Sequence, residues 1–410
     1  VKFKFNIKAM EFLTAFLLAV YVVFISLNTA ISQSLDWSIY PFFLLLLIYL
    51  NIALLSCNGN SKYYNAALIS PANLLMLCFT AMLIFKVDNV DSLKTVIGAV
   101  FLPYLLGVMY ALRRGESIQL ERYVFILLIF KAVLVLVFFN ELIKDYPLRP
   151  EFQGRAIYLQ FGWALDIAPF LIVYFMYKKQ KLTTESALIV SIILFIIAFV
   201  IVTMLSRTMI ILSVLLTMIF SLISIKEIKI KLFGATAYPV FVFICLLAFP
   251  LKQDHLFSMA NTMASFVTAS DTIYLPDKST LIRMEGFFAT LFDKNISSDK
   301  HPLDVKSGDF YWAGHFWLGQ INYYIGKFGL LVFVLLTTYF IVNVYKLFMR
   351  RHHGDDFSNV TLIMLSISYL LHPLYVSGIL NDPIFFLLLG LLVNLPSTNS
   401  RGRFFLGRRA

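Results

Sequence analysis

Three side chains in this sequence have the types and settings to do chemistry: Arg283, Arg207 and His315. Arg283 sits in Ser279-Thr280-Leu281-Ile282-Arg283-Met284-Glu285, and the apolar positions Leu281, Met284, Phe288 and Leu291 recur at helical spacing. Ser279 or Thr280 caps that helix, which puts a cation in its first turn, where the dipole disfavours one unless an anion shares the place. A phosphate held between the free amides and Arg283 resolves the conflict. An ion pair with a neighbouring acid, Glu285 among them, resolves it too. Arg207 follows Ser206 in a tight turn without Gly or Pro at the membrane boundary. There an arginine either clamps a lipid-linked phosphate with both arms of its guanidinium or snorkels to headgroups as an anchor.

His315 opens a run in which Gly319, Asn322, Gly326 and Gly329 follow at offsets of 4, 7, 11 and 14. On one continuous helix all five fall within a narrow stripe, and small residues there mean close helix contact. The histidine then stands rigidly at the membrane surface, as a general base should, or serves as a structural hydrogen-bonding group. Aromatic residues crowd the same stretch, Trp312 and Tyr324 among them. Sugar rings stack on such faces, and interfacial belts concentrate the same residues.

The elements that must position these residues are membrane helices. The chain has 410 residues, 60% hydrophobic and 14% charged, with mean hydropathy +0.82. That composition excludes a soluble globular protein, for which about 25% charged residues is usual. The net charge of +11 would suggest a nucleic-acid partner in a soluble chain, but here it follows from basic residues gathered on one side of a membrane, and no nucleic acid is expected. Cys57, Cys78 and Cys245 all fall in or beside apolar runs and imply neither a disulfide framework nor a thiolate metal site.

The fold class expected is an all-α polytopic membrane protein of about twelve spans, placed near 12–31, 41–56, 66–85, 95–112, 123–140, 156–177, 186–205, 208–225, 232–250, 321–347, 359–376 and 379–395. Parity supports the count. The apolar stretch 186–225 lies between two lysine clusters, and as one helix it would be about 60 Å long, twice the hydrocarbon thickness. It must therefore turn back, near Ser206, Arg207 and Thr208. Residues 358–400 carry no Lys or Arg and form a hairpin by the same reasoning. The organisation expected is nine membrane helices over 1–250, an outer loop with short helices over 251–320, three membrane helices over 321–397 and a basic cytoplasmic tail over 398–410. The lysine-bearing N-terminus reads as a retained first span, and both termini as cytoplasmic. No internal repeat of the transporter kind is evident.

Lys131 and Asp166 lie at matching depth in adjacent expected spans, which suggests a buried ion pair or a proton path. Asn381-Asp382-Pro383 reads as a helix cap with proline in the first turn. There is no P-loop, HExxH, DxD or GxSxG pattern. Chemistry driven by ATP or sugar nucleotides is thereby disfavoured, and the sequence implies no metal and no cofactor.

An arginine after Ser206 at the outer end of a span, an arginine opening the long loop's helix, and a histidine followed eleven residues later by Gly326 and then Gly329 resemble the bacterial O-antigen polymerase and O-antigen ligase superfamily. The ligases carry a polar residue after the histidine. Phe316 stands there, which favours polymerase over ligase. The resemblance implies a GT-C-like, metal-independent glycosyltransferase of the bacterial inner membrane. Its substrates would be oligosaccharide units on undecaprenyl pyrophosphate, joined at the periplasmic face. Arg207 and Arg283 would hold the donor pyrophosphate and His315 would take the acceptor's proton, with Glu285, Trp312 and Tyr324 contacting sugar. Partners implied are membrane lipids, a chain-length regulator and a flippase. Two readings from other classes stay open: a lipid-linked oligosaccharide flippase, which would need Lys131 or Asp166 more than His315, and a noncatalytic assembly subunit, which would need neither.

Overall fold

Long runs of Leu, Ile, Phe and Val punctuated by Ser-Pro, Thr or Lys dictate helices, and helices are what form. The computed structural model describes residues 13–14, 16–17, 39–57, 70–87, 90, 93, 96–113, 166–179, 183–204, 207–248, scattered positions from 254 to 264, 317–350, 357–371 and 383–394. Among these residues there is no strand. The helices are α1 (Ile39–Cys57), α2 (Pro71–Phe85), a π-helical turn (Val96–Phe101) running into α3 (Leu102–Arg113), α4 (Ala168–Lys178), α5 (Thr184–Met204), α6 (Arg207–Ser224), α7 (Ile228–Ala248), α8 (Trp317–Arg350), α9 (Phe357–Leu371) and α10 (Pro383–Val393). Among the described residues three segments are long and apolar enough to cross a membrane, Thr184–Val202, Ile228–Ala248 and Ile325–Met349. The other helices carry shorter apolar segments, which lie on expected spans. The spans expected at 123–140 and, apart from four positions, 12–31 lie outside the described residues, as do most of 251–320 and all of 398–410.

Local sequence explains the helix ends. Ser70 caps α2 by accepting from the Asn73 amide at 3.3 Å, and Pro71 fits the first helical position, where no amide bond is lost. At α5, Thr183 and Ser186 cap each other: Oγ1 of Thr183 accepts from the Ser186 amide at 3.2 Å and Oγ of Ser186 from the Thr183 amide at 2.9 Å. The stretch 186–225 breaks into two helices between Met204 and Arg207, where its length requires a turn. Pro383 opens α10, as Asn381-Asp382-Pro383 predicts.

Helix α6 shows what solvent this protein is built for. Its buried face carries Ser213, Thr217, Ser221 and Ser224, while Ile211, Leu215, Ile219 and Leu222 are exposed. A helix in water does the reverse. The same apolar exposure covers α5 (Leu188, Ile189, Ile192, Ile196) and α7 (Val240, Phe243, Leu247), so these faces suit hydrocarbon, and the chain has the character of an α-helical membrane protein.

Packing follows. The most intimate contact joins α3 and α10. A Cβ on Gly107 would collide with the Leu387 carbonyl and lie 2.7 Å from the Leu391 amide nitrogen, and one on Gly390 would collide with the Tyr104 carbonyl. Each glycine thus admits the other helix's backbone, as close membrane-helix contacts require. At the end of this seam the amides of Asn73 and Asn394 pair reciprocally, at 2.9 and 3.1 Å, and the Tyr104 hydroxyl donates to Asn73 Oδ1. Rings of Phe79, Phe333, Phe385 and Phe386 lie 5.3 to 6.4 Å apart between α2, α8 and α10. Around them a second group, α4 to α7, packs mutually; Gly234 of α7 lets Ser221 of α6 and Val173 of α4 approach together. Helices α4 and α9 join the two groups.

Gly107→Ala and Gly390→Ala should each destabilise the protein by about 1–3 kcal/mol, since backbone rather than a movable side chain fills the space. Ile219→Ala, on the lipid side, should change stability by under about 0.5 kcal/mol. Thermal unfolding in detergent micelles orders the three.

Candidate functional site

Arg207 is the first helical residue of α6. The opening amides of a helix have no partner within it, and they make this end positive. A guanidinium rooted in the same turn adds charge of the same sign. The arrangement is electrostatically unfavourable in isolation and favourable when an anion is bound, which is the argument the sequence makes for Arg283 and which the fold of α6 extends to Arg207.

Tyr324 lies on α8, two residues before a break. Gly326 has φ 71° and ψ −176°, a conformation open in practice to glycine alone, and nothing stands within 4 Å of where its Cβ would be. The glycine is there for its backbone, not for close packing. This corrects the expected stripe. Gly319 and Asn322 belong to the arm before the break and Gly329 to the arm after it, so the positions following His315 do not share one continuous helix face. The physical reason is that a glycine reads identically in sequence whether it admits a neighbour or turns the chain. Asn322 and Gly329 are buried on either side of the break, and Lys327 and Phe328 are exposed immediately after it. Backbone groups freed at such a break inside a membrane must find protein or water partners.

His315, Trp312, Arg283 and Glu285 lie outside the described residues, as does Lys131. Of the proposed constellation the structure therefore positions the backbones of Arg207 and Tyr324. It sets them on different helix groups: α6 packs chiefly on α4, α5 and α7, whereas α8 packs on α2, α9 and α10.

Asp166 is fully buried but not within a helix, as a span over 156–177 would place it. It stands in a turn just ahead of α4, where the dipole favours its charge, and its Oδ1 accepts a 2.7 Å hydrogen bond from Ser368 Oγ of α9. That bond joins the two helix groups. Sequence reading singled out Asp166 and missed Ser368, because a pairing over 202 residues leaves no periodic signal. The hydroxyl face of α6 was missed although a signal exists, the spacing of 4, 4 and 3 from Ser213 to Ser224. Among the described residues no cluster of His, Cys, Asp or Glu is arranged to hold a metal.

No protein-family model, curated protein or solved structure matches this chain.

The break at Gly326 makes a prediction. Gly326→Ala should cost about 1–3 kcal/mol in stability through backbone strain, although the space for a methyl group is open. Unfolding of the variant in mixed micelles tests it; a loss under about 0.5 kcal/mol, the usual effect of an unstrained substitution, would remove the backbone argument.

Proposed function

We propose that this chain is a GT-C-like glycosyltransferase of about twelve spans in the bacterial inner membrane. It joins undecaprenyl-pyrophosphate-linked oligosaccharide units into O-antigen or a related surface polysaccharide at the periplasmic face. The observation that carries the reading is Arg207 at the start of α6, a cation and free helix amides together at the end of a membrane hairpin, which is a setting for an anionic lipid headgroup. The superfamily resemblance supplies the rest.

In this reading the bond between the donor glycan's anomeric carbon and pyrophosphate oxygen breaks, and an acceptor sugar hydroxyl forms the new glycosidic bond. The departing undecaprenyl pyrophosphate keeps the electron pair, and Arg207 and Arg283 stabilise the charge it gains. His315 takes the hydroxyl proton. Glu285, Trp312 and Tyr324 hold acceptor sugar. A lipid pyrophosphate is already an activated leaving group, so no nucleotide is consumed and no metal is called for.

Deleting the gene in its host should collapse the lipopolysaccharide ladder on a gel to core bearing a single repeat. Wild-type complementation should restore the ladder. A stably expressed His315→Ala should lower polymerisation by about 10²–10⁴-fold, the usual worth of a positioned base. Arg207→Lys should retain more function than Arg207→Ala, because charge survives and the bidentate fork does not. A ladder unchanged by deletion would refute the assignment for this polymer.

A further inference from the structure

We propose that the lysine-rich end of the α4–α7 group is a binding site for an anionic phospholipid. Lysines of α4 and of the α6–α7 connection hold its phosphate, and its acyl chains lie along the exposed apolar faces directly beside them. The inference is independent of the glycosyltransferase reading.

Three helices fix the place. They converge at Gly234 of α7, where Ser221 of α6 and Val173 of α4 fill the space that a Cβ would need. Each then leads to a lysine at the same end. Helix α7 runs antiparallel to α6, since three residues join them and Tyr238 donates to Ser213 at 3.0 Å further along the pair. Helix α4 runs from Asp166, within electrostatic range of Tyr238, to Val173 at Gly234, and so points toward the α6–α7 connection. Lys178 of α4 and Lys229 of α7 each lie five residues beyond the junction, about 7.5 Å along their helices. Lys226 follows two residues after α6 ends. Lys179 and Lys231 stand beside them in the chain.

The backbone that carries these lysines is held. Ile225 and Ile230, neighbours of Lys226, Lys229 and Lys231, are buried. The Ile225 amide donates to the Ser221 carbonyl at 3.3 Å and the Lys231 amide to the Glu227 carbonyl at 2.9 Å, so hydrogen bonds brace both sides of the connection. Lys178 and Lys179 lay their ammonium groups over the rings of Tyr174 and Phe175, at 5.8 and 5.5 Å, one turn back along α4. Those two cations therefore stay level with the last turn of the helix.

Charge at this end is lopsided. Among the described residues it carries these five lysines against two glutamates, Glu185 and Glu227. Both glutamates stand at helix starts, in the first turn of α5 and immediately before α7, where the dipole already favours a carboxylate. Lys226 and Lys229 make no ion pair among the described residues. Like charges gathered at one end repel, and a shared anion removes the repulsion.

The apolar surface decides what kind of anion. Phe175, Ile223, Ile228 and Leu232 are all exposed, and each lies within four residues of one of these lysines. Cation and lipid-facing hydrocarbon thus meet within about one turn of helix. A water-soluble anion would satisfy only the cations. A phospholipid satisfies both, because its phosphate sits where its chains begin.

Native mass spectrometry of the full chain, with phosphatidylglycerol or phosphatidylcholine titrated into the micelles, tests the site. Phosphatidylglycerol should bind the more tightly. A lysine beside an anionic headgroup is worth about a fivefold change in affinity, so the double variant Lys226→Gln, Lys229→Gln should weaken phosphatidylglycerol by about 25-fold. Both lysines are exposed, and the variant should fold. Lys86→Gln, which removes a charge from the end of α2 instead, should leave the affinity unchanged, and excess soluble glycerophosphate should not displace the lipid. Equal retention of the two lipids would overturn the site. An equal loss in Lys86→Gln would overturn it too, by reducing the effect to net charge. Displacement by glycerophosphate or by an acidic peptide would assign the lysines to a water-soluble partner and overturn the lipid.

Discussion

The constraint on which the rest of this structure depends is that its surroundings cannot hydrogen-bond. Every polar group in the helical region must be satisfied by the protein itself or by water it encloses, and apolar side chains gain nothing by turning inward. Helix α6 obeys this most visibly, with hydroxyls inward and Ile211, Leu215 and Ile219 outward. The same constraint accounts for the Asn73–Asn394 amide pair, in which each residue satisfies the other, and for the burial of Asp166 against Ser368 and a helix terminus. Removing one member of such a pair leaves the other stranded, which is why these contacts are costlier to break than to do without.

Without a hydrophobic drive between helices, close packing has to hold them. Gly107 and Gly390 let two backbones meet, Gly234 gathers three helices, and the phenylalanine cluster fills the space between α2, α8 and α10. These contacts have a positional consequence. Helix α8, which leads away from His315 and carries Tyr324, is anchored beyond its break by Phe333 against Phe79 and Phe385. The rigid arm from Lys327 onward is therefore referenced to the core, and the arm before Gly326 takes its direction from the break. Helix α6, which carries Arg207, is referenced instead to α4 and α7. Arg207 and Tyr324 are thus carried by two packed groups joined through α4 and α9.

Much of the fold was legible in the sequence because membrane helices announce themselves through composition and length. The turn in 186–225 followed from the mismatch between forty apolar residues and one bilayer, and α10 began where Asn381-Asp382-Pro383 indicated. Features resting on conformation or remote pairing were not legible. Gly326 and Gly329 look alike in sequence, yet one turns the chain and the other lies buried in a helix. Asp166 announced itself as an intramembrane charge but not as a helix-terminal one, since Pro169 at the start of α4 marks a boundary only once the turn is seen. Of the candidate site the structure describes Arg207, which the sequence sets in a turn and the fold sets at the start of α6, whereas the approach of Ser368 to Asp166 is fixed only by the tertiary fold.

The central claim is that this chain alone joins lipid-linked oligosaccharides without nucleotide or metal. Purified protein reconstituted in liposomes with undecaprenyl-pyrophosphate-linked repeat units, in chelator and without nucleotide, tests it most directly. The account predicts a ladder of lipid-linked oligomers and release of one undecaprenyl pyrophosphate per bond formed. Units that remain single while the protein is folded, or that move between leaflets without being joined, would contradict it.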